Sequence, residues 1–202
     1  MPTWLPAFGV RGVAAAALAA GLLAAAGAAH AQYDSRNDPE GIRSGGAPSG
    51  HYYSWVKVPR ATVSFSGNYK PGEIVINTGE RRLYYVLEGG EAIRYGIGVG
   101  RIGFTWAGVK TVTDKREWPD WTPPEQMRRR QPGLPVHMKG GEGNPLGARA
   151  MYLGSTLYRI HGSNDAESIG EAESSGCFRL TNEDAIDLYK RVKIGTVVHI
   201  LR

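Results

Sequence analysis

The chain has 202 residues and a formal net charge of +5. That length suits one domain, or one domain with a tail, and the mild positive charge favours anionic surroundings such as an envelope polymer. The basic residues are scattered, with Arg128-Arg129-Arg130 the densest run and no helix-turn-helix or zinc-finger spacing beside it, which argues against a nucleic-acid partner.

Residues 1–31 read as a secretory signal peptide. Arg11 precedes the apolar run "GVAAAALAAGLLAAAGA", and Ala29-His30-Ala31 supplies a small-residue cleavage site. An uncleaved membrane anchor is the competing reading. The run is rich in alanine and short for a full span, so cleavage after Ala31 is expected. No second apolar run of spanning length follows, so the mature protein is expected to have no membrane span and to lie outside the cytoplasm, in the periplasm.

Residues 32–70, rich in Gly, Ser, Pro and charge, read as a flexible polar leader. Tyr52, Tyr53, Trp55 and Val56 interrupt it and are expected to dock on the domain. Residues 71–202 read as that folded domain. The stretch 72–100 contains three β-rich runs, Ile74–Asn77, Arg82–Leu87 and Ala92–Val99. Short turn signals at Thr78-Gly79-Glu80 and Gly89-Gly90 separate them, which predicts an antiparallel meander. A further strand is expected over 108–121, breaking at Pro119. Pro123-Pro124 then opens a short helix. The Gly- and Pro-rich segment 131–153 reads as a long loop, the kind that serves as a substrate flap.

After this loop, 156–162 reads as a strand running into a turn and Cys177–Leu180 as a short strand. Residues 181–192 form the one clear helix, with Thr181 and Asp184 as a capping pair and Ala185, Ile186, Leu188, Tyr189 and Val192 as its apolar face. Residues 195–201 close the domain as a strand. The expected fold is mainly β with one helix, a β-sandwich or closed sheet.

The stretch "IHGSNDAESIGEAESSGCFRL", residues 160–180, holds the single cysteine of the chain and one of its five histidines. In an exported protein an unpaired thiol is an intermolecular bridge, a reactive group or an inert buried side chain. A small buried hydrophobe is the usual fate of free cysteine. Ser-Ser-Gly ahead of Cys177, and the absence of any other thiol, favour a nucleophile. Its thiolate needs a base, which His161 supplies if the two strands are neighbours. The Gly162 carbonyl can then hold the second imidazole nitrogen. Gly176 permits a tight turn, and the N–H groups of Ser175, Gly176 and Cys177 can converge as an oxyanion hole. His137, in the flap-like loop, is a candidate for substrate binding, while His199 reads as structural. One cysteine and dispersed histidines give no metal-ligand spacing.

These residues resemble the L,D-transpeptidases with a YkuD-type catalytic domain. The matching positions are His161-Gly162-Ser163, Ile169-Gly170, Ser174-Ser175-Gly176-Cys177-Phe178-Arg179-Leu180, Asn182-Glu183-Asp184 and Leu188-Tyr189. The segment "NPLGARAMYLG", from Asn144, and "EWPDWTPPEQM" also look familial. Many members have histidine at the position of Ser175; this chain departs from them there. The resemblance implies a β-sandwich-like mixed sheet, a Cys177–His161–Gly162 carbonyl triad, and no cofactor. It directs Arg179, Ser163, Ser174 and Asn144 to substrate binding, with Arg179 holding a substrate carboxylate or bracing the loop.

The partner it implies is a peptidoglycan stem peptide. Cys177 would form a thioester from a tetrapeptide stem, release D-alanine and pass the acyl group to an amine. That amine belongs to a second stem or to a lysine of an envelope protein. Water as acceptor would make a carboxypeptidase, and a chain without activity would be a peptidoglycan-binding module. Sortases use the same three residue types in the same order but lack the 161–189 pattern.

Overall fold

The expected meander is present in the computed structural model, which describes residues 58–202. The signal peptide and the docking of Tyr52, Tyr53, Trp55 and Val56 lie outside the described residues. Strands β2 (Ile74–Asn77), β3 (Arg82–Val86) and β4 (Glu91–Gly96) pair antiparallel in sequence order. Alternation sorts their side chains: Ile74, Ile76, Leu83, Ile93 and Tyr95 face the main core, while Val75, Tyr84, Val86 and Ala92 face a smaller second cluster.

Strand β1 (Ala61–Ser64) lies inside the segment expected to be a polar leader. It adds to β4 antiparallel, and Ala61, Val63 and Phe65 are buried in the second cluster. The folded unit therefore begins before residue 70. Four residues with two apolar side chains are too short to show a period, and their pairing partner is supplied from far along the chain.

Strands β5 (Val99–Gly100) and β9 (Ala172–Ser174) form a separate parallel pair. Strand β6 (Gly108–Glu117) stops before Pro119, as expected, and α1 (Glu125–Arg130) follows with Pro124 at its N-cap. The loop expected over 131–153 is shorter than that, because its last residues form β7 (Arg149–Leu153), paired antiparallel with β6. The glycine-rich lead-in masks this strand in the sequence. Strands β8 (Arg159–His161) and β10 (Phe178–Arg179) run parallel to each other, with α2 (Asn182–Arg191) and β11 (Val197–Leu201) completing the chain.

The main sheet has nine strands in the order β1-β4-β3-β2-β11-β6-β7-β8-β10. Residues from both its halves meet in one core: Ile74, Leu83 and Tyr95 from the meander pack with Met151, Leu153, Ile160 and Phe178. Shared packing of this kind means the sheet curls onto itself, the sandwich-like mixed architecture expected. Helix α2 caps that core with Ala185 and Leu188, both fully buried. Burying Leu188 alone contributes roughly 1.5–3 kcal/mol.

The start of α2 is fixed by Thr181, whose Oγ1 accepts the Asp184 N–H at 3.2 Å. This satisfies one of the unpaired amides of the first turn. Thr181→Ala is expected to cost about 1 kcal/mol, measured by urea titration.

Candidate active site

The parallel register of β8 and β10 builds the site. Phe178 pairs with Ile160 and Arg179 with His161. Ile160 and Phe178 point into the core, fully buried. By alternation Arg159, His161, Cys177 and Arg179 share the opposite face. That face forms one wall of a cavity of about 470 Å³ whose lining includes all four residues. His161 and Cys177 are diagonal neighbours across the strand pair, a backbone spacing of roughly 7–8 Å that an aromatic side chain can bridge.

His161 is buried, and its Nδ1 donates to the Gly162 carbonyl at 2.5 Å. A carbonyl only accepts, so Nδ1 carries the hydrogen and Nε2 of the neutral ring keeps its lone pair. Burial pushes the His161 pKa down to about 3; the Gly162 carbonyl opposes this, and the positive charges of Arg159 and Arg179 add to it. Burial also raises the Cys177 thiol above its ordinary value, against the pull of the same two arginines. Both groups are therefore neutral at rest. Among the described residues, the thiol's hydrogen bond runs to the Leu157 carbonyl, at 3.7 Å. Proton transfer to His161 requires the thiol to turn from that carbonyl toward Nε2.

The turn before Cys177 is held from three sides. Ser174 Oγ donates to the Cys177 carbonyl at 2.6 Å and accepts the Gly176 N–H at 3.1 Å. Gly176 has φ of +105° and lies flush against the Tyr158 ring, so only glycine fits. Trp106 donates its indole N–H to the Gly176 carbonyl at 2.9 Å and stacks on Tyr158, with ring centroids 4.6 Å apart. The Gly176 amide is thus already engaged, which leaves those of Ser175 and Cys177 from the trio expected to bind an oxyanion.

Several expected substrate contacts are placed elsewhere. Asn144 is buried, and its amide donates to the carbonyls of Pro119, Met138 and Lys139. Ser163 closes a turn by exchanging hydrogen bonds with the Asp165 backbone. Ser174 braces the cysteine turn while also lining the cavity. His137 pairs with Asp120 at 3.3 Å and with Thr122 on the outer surface. A loop without regular structure must satisfy its own backbone groups, and polar side chains in such segments do that work. Arg179 lines the cavity.

Sequence reasoning missed Arg159, Tyr158 and Trp106. Arg159 was within reach, because it stands two residues before His161 in a strand and must share its face. Trp106 lies in a loop far from the motif, and no local pattern marks it. The segment expected as a flap contributes Gln131, Pro145 and Leu146 to the cavity wall.

Residues 71–200 match the YkuD family, the L,D-transpeptidase catalytic domain. The probable L,D-transpeptidase ErfK/SrfK of Escherichia coli (strain K12) is 40% identical over 137 residues, 63% of this chain and 43% of that protein. The chain thus spans less than half the length of that curated relative. L,D-transpeptidase 3 from Mycobacterium tuberculosis has the same fold, with a TM-score of 0.52 at 19% identity over 70% of this chain and 69% of that one. A Brucella melitensis protein described as a probable carnitine operon oxidoreductase is 45% identical, with a TM-score of 0.50 over 74% of this chain and 97% of that one. That description belongs to the Brucella protein; the catalytic-domain match, over most of the folded residues, decides the assignment here. The chain belongs to the L,D-transpeptidase catalytic domain family.

Proposed function

We propose that the protein is a cysteine-dependent peptidoglycan L,D-transpeptidase acting outside the cytoplasm. The observation that carries this reading is the parallel β8–β10 pair, which sets Cys177 and a tautomer-fixed His161 on one cavity wall. The thiol passes its proton to His161 Nε2 as Sγ attacks the carbonyl between the L- and D-centres of a tetrapeptide stem. The amides of Ser175 and Cys177 receive the oxyanion. The C–N bond breaks, the departing D-alanine amine takes the proton from His161, and a thioester remains on Cys177. An amine acceptor then attacks the thioester, loses its proton through His161, and the thiol is restored.

The neutral resting pair suits this sequence, because the imidazole is free to accept and then return a proton. The acceptor is an amine of a second stem or of an envelope protein. Water as acceptor gives the carboxypeptidase reading. With disaccharide tetrapeptide as substrate, mass spectrometry should detect both free D-alanine and cross-linked dimers. Cys177→Ala should abolish both. Release without dimers would favour hydrolysis, and neither product, with retained binding to sacculi, would leave a peptidoglycan-binding module.

A further inference from the structure

We infer that Arg159 forms, together with Arg179, a carboxylate subsite beside the Cys177 thiol. Through it Arg159 would select acyl donors that carry a free carboxylate next to the scissile amide. The choice of donor rests on the transpeptidase reading; the subsite itself does not.

Four observations support it. The register that pairs Arg179 with His161 places Arg159 beside Cys177, so the two guanidinium groups flank the base and the nucleophile. Among the described residues, the cavity is lined by Arg130, Arg159 and Arg179 and by no aspartate or glutamate. Among the described residues, the ion pairs involve Arg60, Arg81, Arg116, Arg129, Arg149 and Arg191, and neither Arg159 nor Arg179 has one. Among the described residues the buried Arg159 Nε finds no hydrogen-bond partner, a state it shares with the Nε atoms of Arg128 and Arg149.

The Tyr152 ring lies under the Arg159 guanidinium, 5.3 Å from its centroid. This steadies the side chain without neutralising it. Uncompensated cations in one half-closed cavity repel one another and stand partly desolvated. A bound carboxylate offsets both costs, and the planar guanidinium fork matches its two oxygens. Either of two donor groups has this chemistry: the terminal carboxylate of the departing D-alanine, or the free carboxylate on the side chain of the acyl-bearing diamino acid.

The only cysteine of the chain makes the first test unambiguous. The folded protein is alkylated with iodoacetate, which is anionic, and with iodoacetamide, which is neutral. The ratio of the two rates is divided by the same ratio for N-acetylcysteine. Wild type should exceed unity, Arg159→Gln should lower the ratio by about 3- to 10-fold, and Arg159→Lys should retain most of it. Rising salt should move the wild-type ratio toward unity, a measurement that stands even where Arg159→Gln fails to fold. A wild-type ratio at unity, a ratio indifferent to salt, or one unchanged in a folded Arg159→Gln variant would overturn the subsite.

The second test uses tetrapeptide stems amidated at one carboxylate or the other. Wild type should discriminate against one of them in KM, and Arg159→Gln should lose that discrimination, which identifies the group bound. Equal discrimination by both proteins would overturn the donor-selecting role. Turnover of no stem, with the alkylation ratio intact, would instead overturn the transpeptidase reading and leave the anion subsite standing.

Discussion

His161→Gln should lower acyl transfer by about three orders of magnitude at neutral pH, and part of that loss should return as the pH is raised. The side-chain amide of the introduced glutamine can still donate to the Gly162 carbonyl, so the change removes the base with little loss of packing. The thiol is held above its ordinary value by burial. At pH 7 such a group is almost wholly protonated. Without Nε2 to receive its proton, reaction depends on that small thiolate fraction. The fraction grows about tenfold per pH unit until the thiol titrates, so the variant's acylation rate should climb along the same slope.

Wild type should behave differently. His161, with its pKa pushed down to about 3, stays in its basic form across the whole neutral and mildly acidic range. The wild-type acylation rate should therefore show no fall on acidification through about pH 6.5, where an exposed histidine would protonate. Stopped-flow measurement of acylation between about pH 5 and pH 10 checks both statements. A variant within about tenfold of wild type, or one whose rate is flat in pH, would remove His161 from the role of base.

Gly162→Ala should destabilise the domain by about 2–4 kcal/mol and impair turnover at the same time. A Cβ there would collide with Asn182 Oδ1 and press on the Ala148 amide. Asn182 Oδ1 accepts the Ala148 N–H at 2.8 Å, and the Gly162 N–H donates to the Arg149 carbonyl at 2.9 Å. The new methyl group must move either α2, through Asn182, or the Gly162 peptide, whose carbonyl orients His161. The second displacement misaligns the base. Asn182→Ala removes the atom met first, so the double variant should be less destabilised than the sum of the two single changes. Urea titration of the four proteins gives the coupling. Additivity within about 0.5 kcal/mol would show that the collision is relieved elsewhere.

The parts of the site legible in sequence are those whose geometry is local. His161 and Gly162 are adjacent, so the ring-to-carbonyl contact follows from their order, and the loop between them and Cys177 returns the chain to a neighbouring strand. The meander was legible because three β-rich runs were separated by glycine turns. What stayed hidden depends on distant chain. Strand β1 takes its partner from β4, and β7 is recognisable only beside β6. Trp106 reaches Gly176 across 70 residues. The resemblance directs Asn144 and Ser163 to substrate binding, but their side chains bond to backbone groups of their own and neighbouring loops, partners that the sequence does not name.

The place of β11 has a consequence for the order in which the molecule is assembled. It is the last of the described strands in sequence order, yet it lies in the middle of the sheet, with Val198 opposite Ile74 on one side and Lys110 on the other. Without it the ladder separates into β1-β4-β3-β2 and β6-β7-β8-β10. The meander is made first and can pair locally, and just beyond it Gly98 exchanges backbone hydrogen bonds with Arg179, at 2.9 Å each way, on the half that carries His161 and Cys177. Closing the ladder requires contacts between the two ends of the domain, the slowest kind to form. The core behind the thiol therefore closes last. A chain that has not yet placed β11 lacks the central rung between β2 and β6, and the core behind Cys177 is complete only once that strand has inserted.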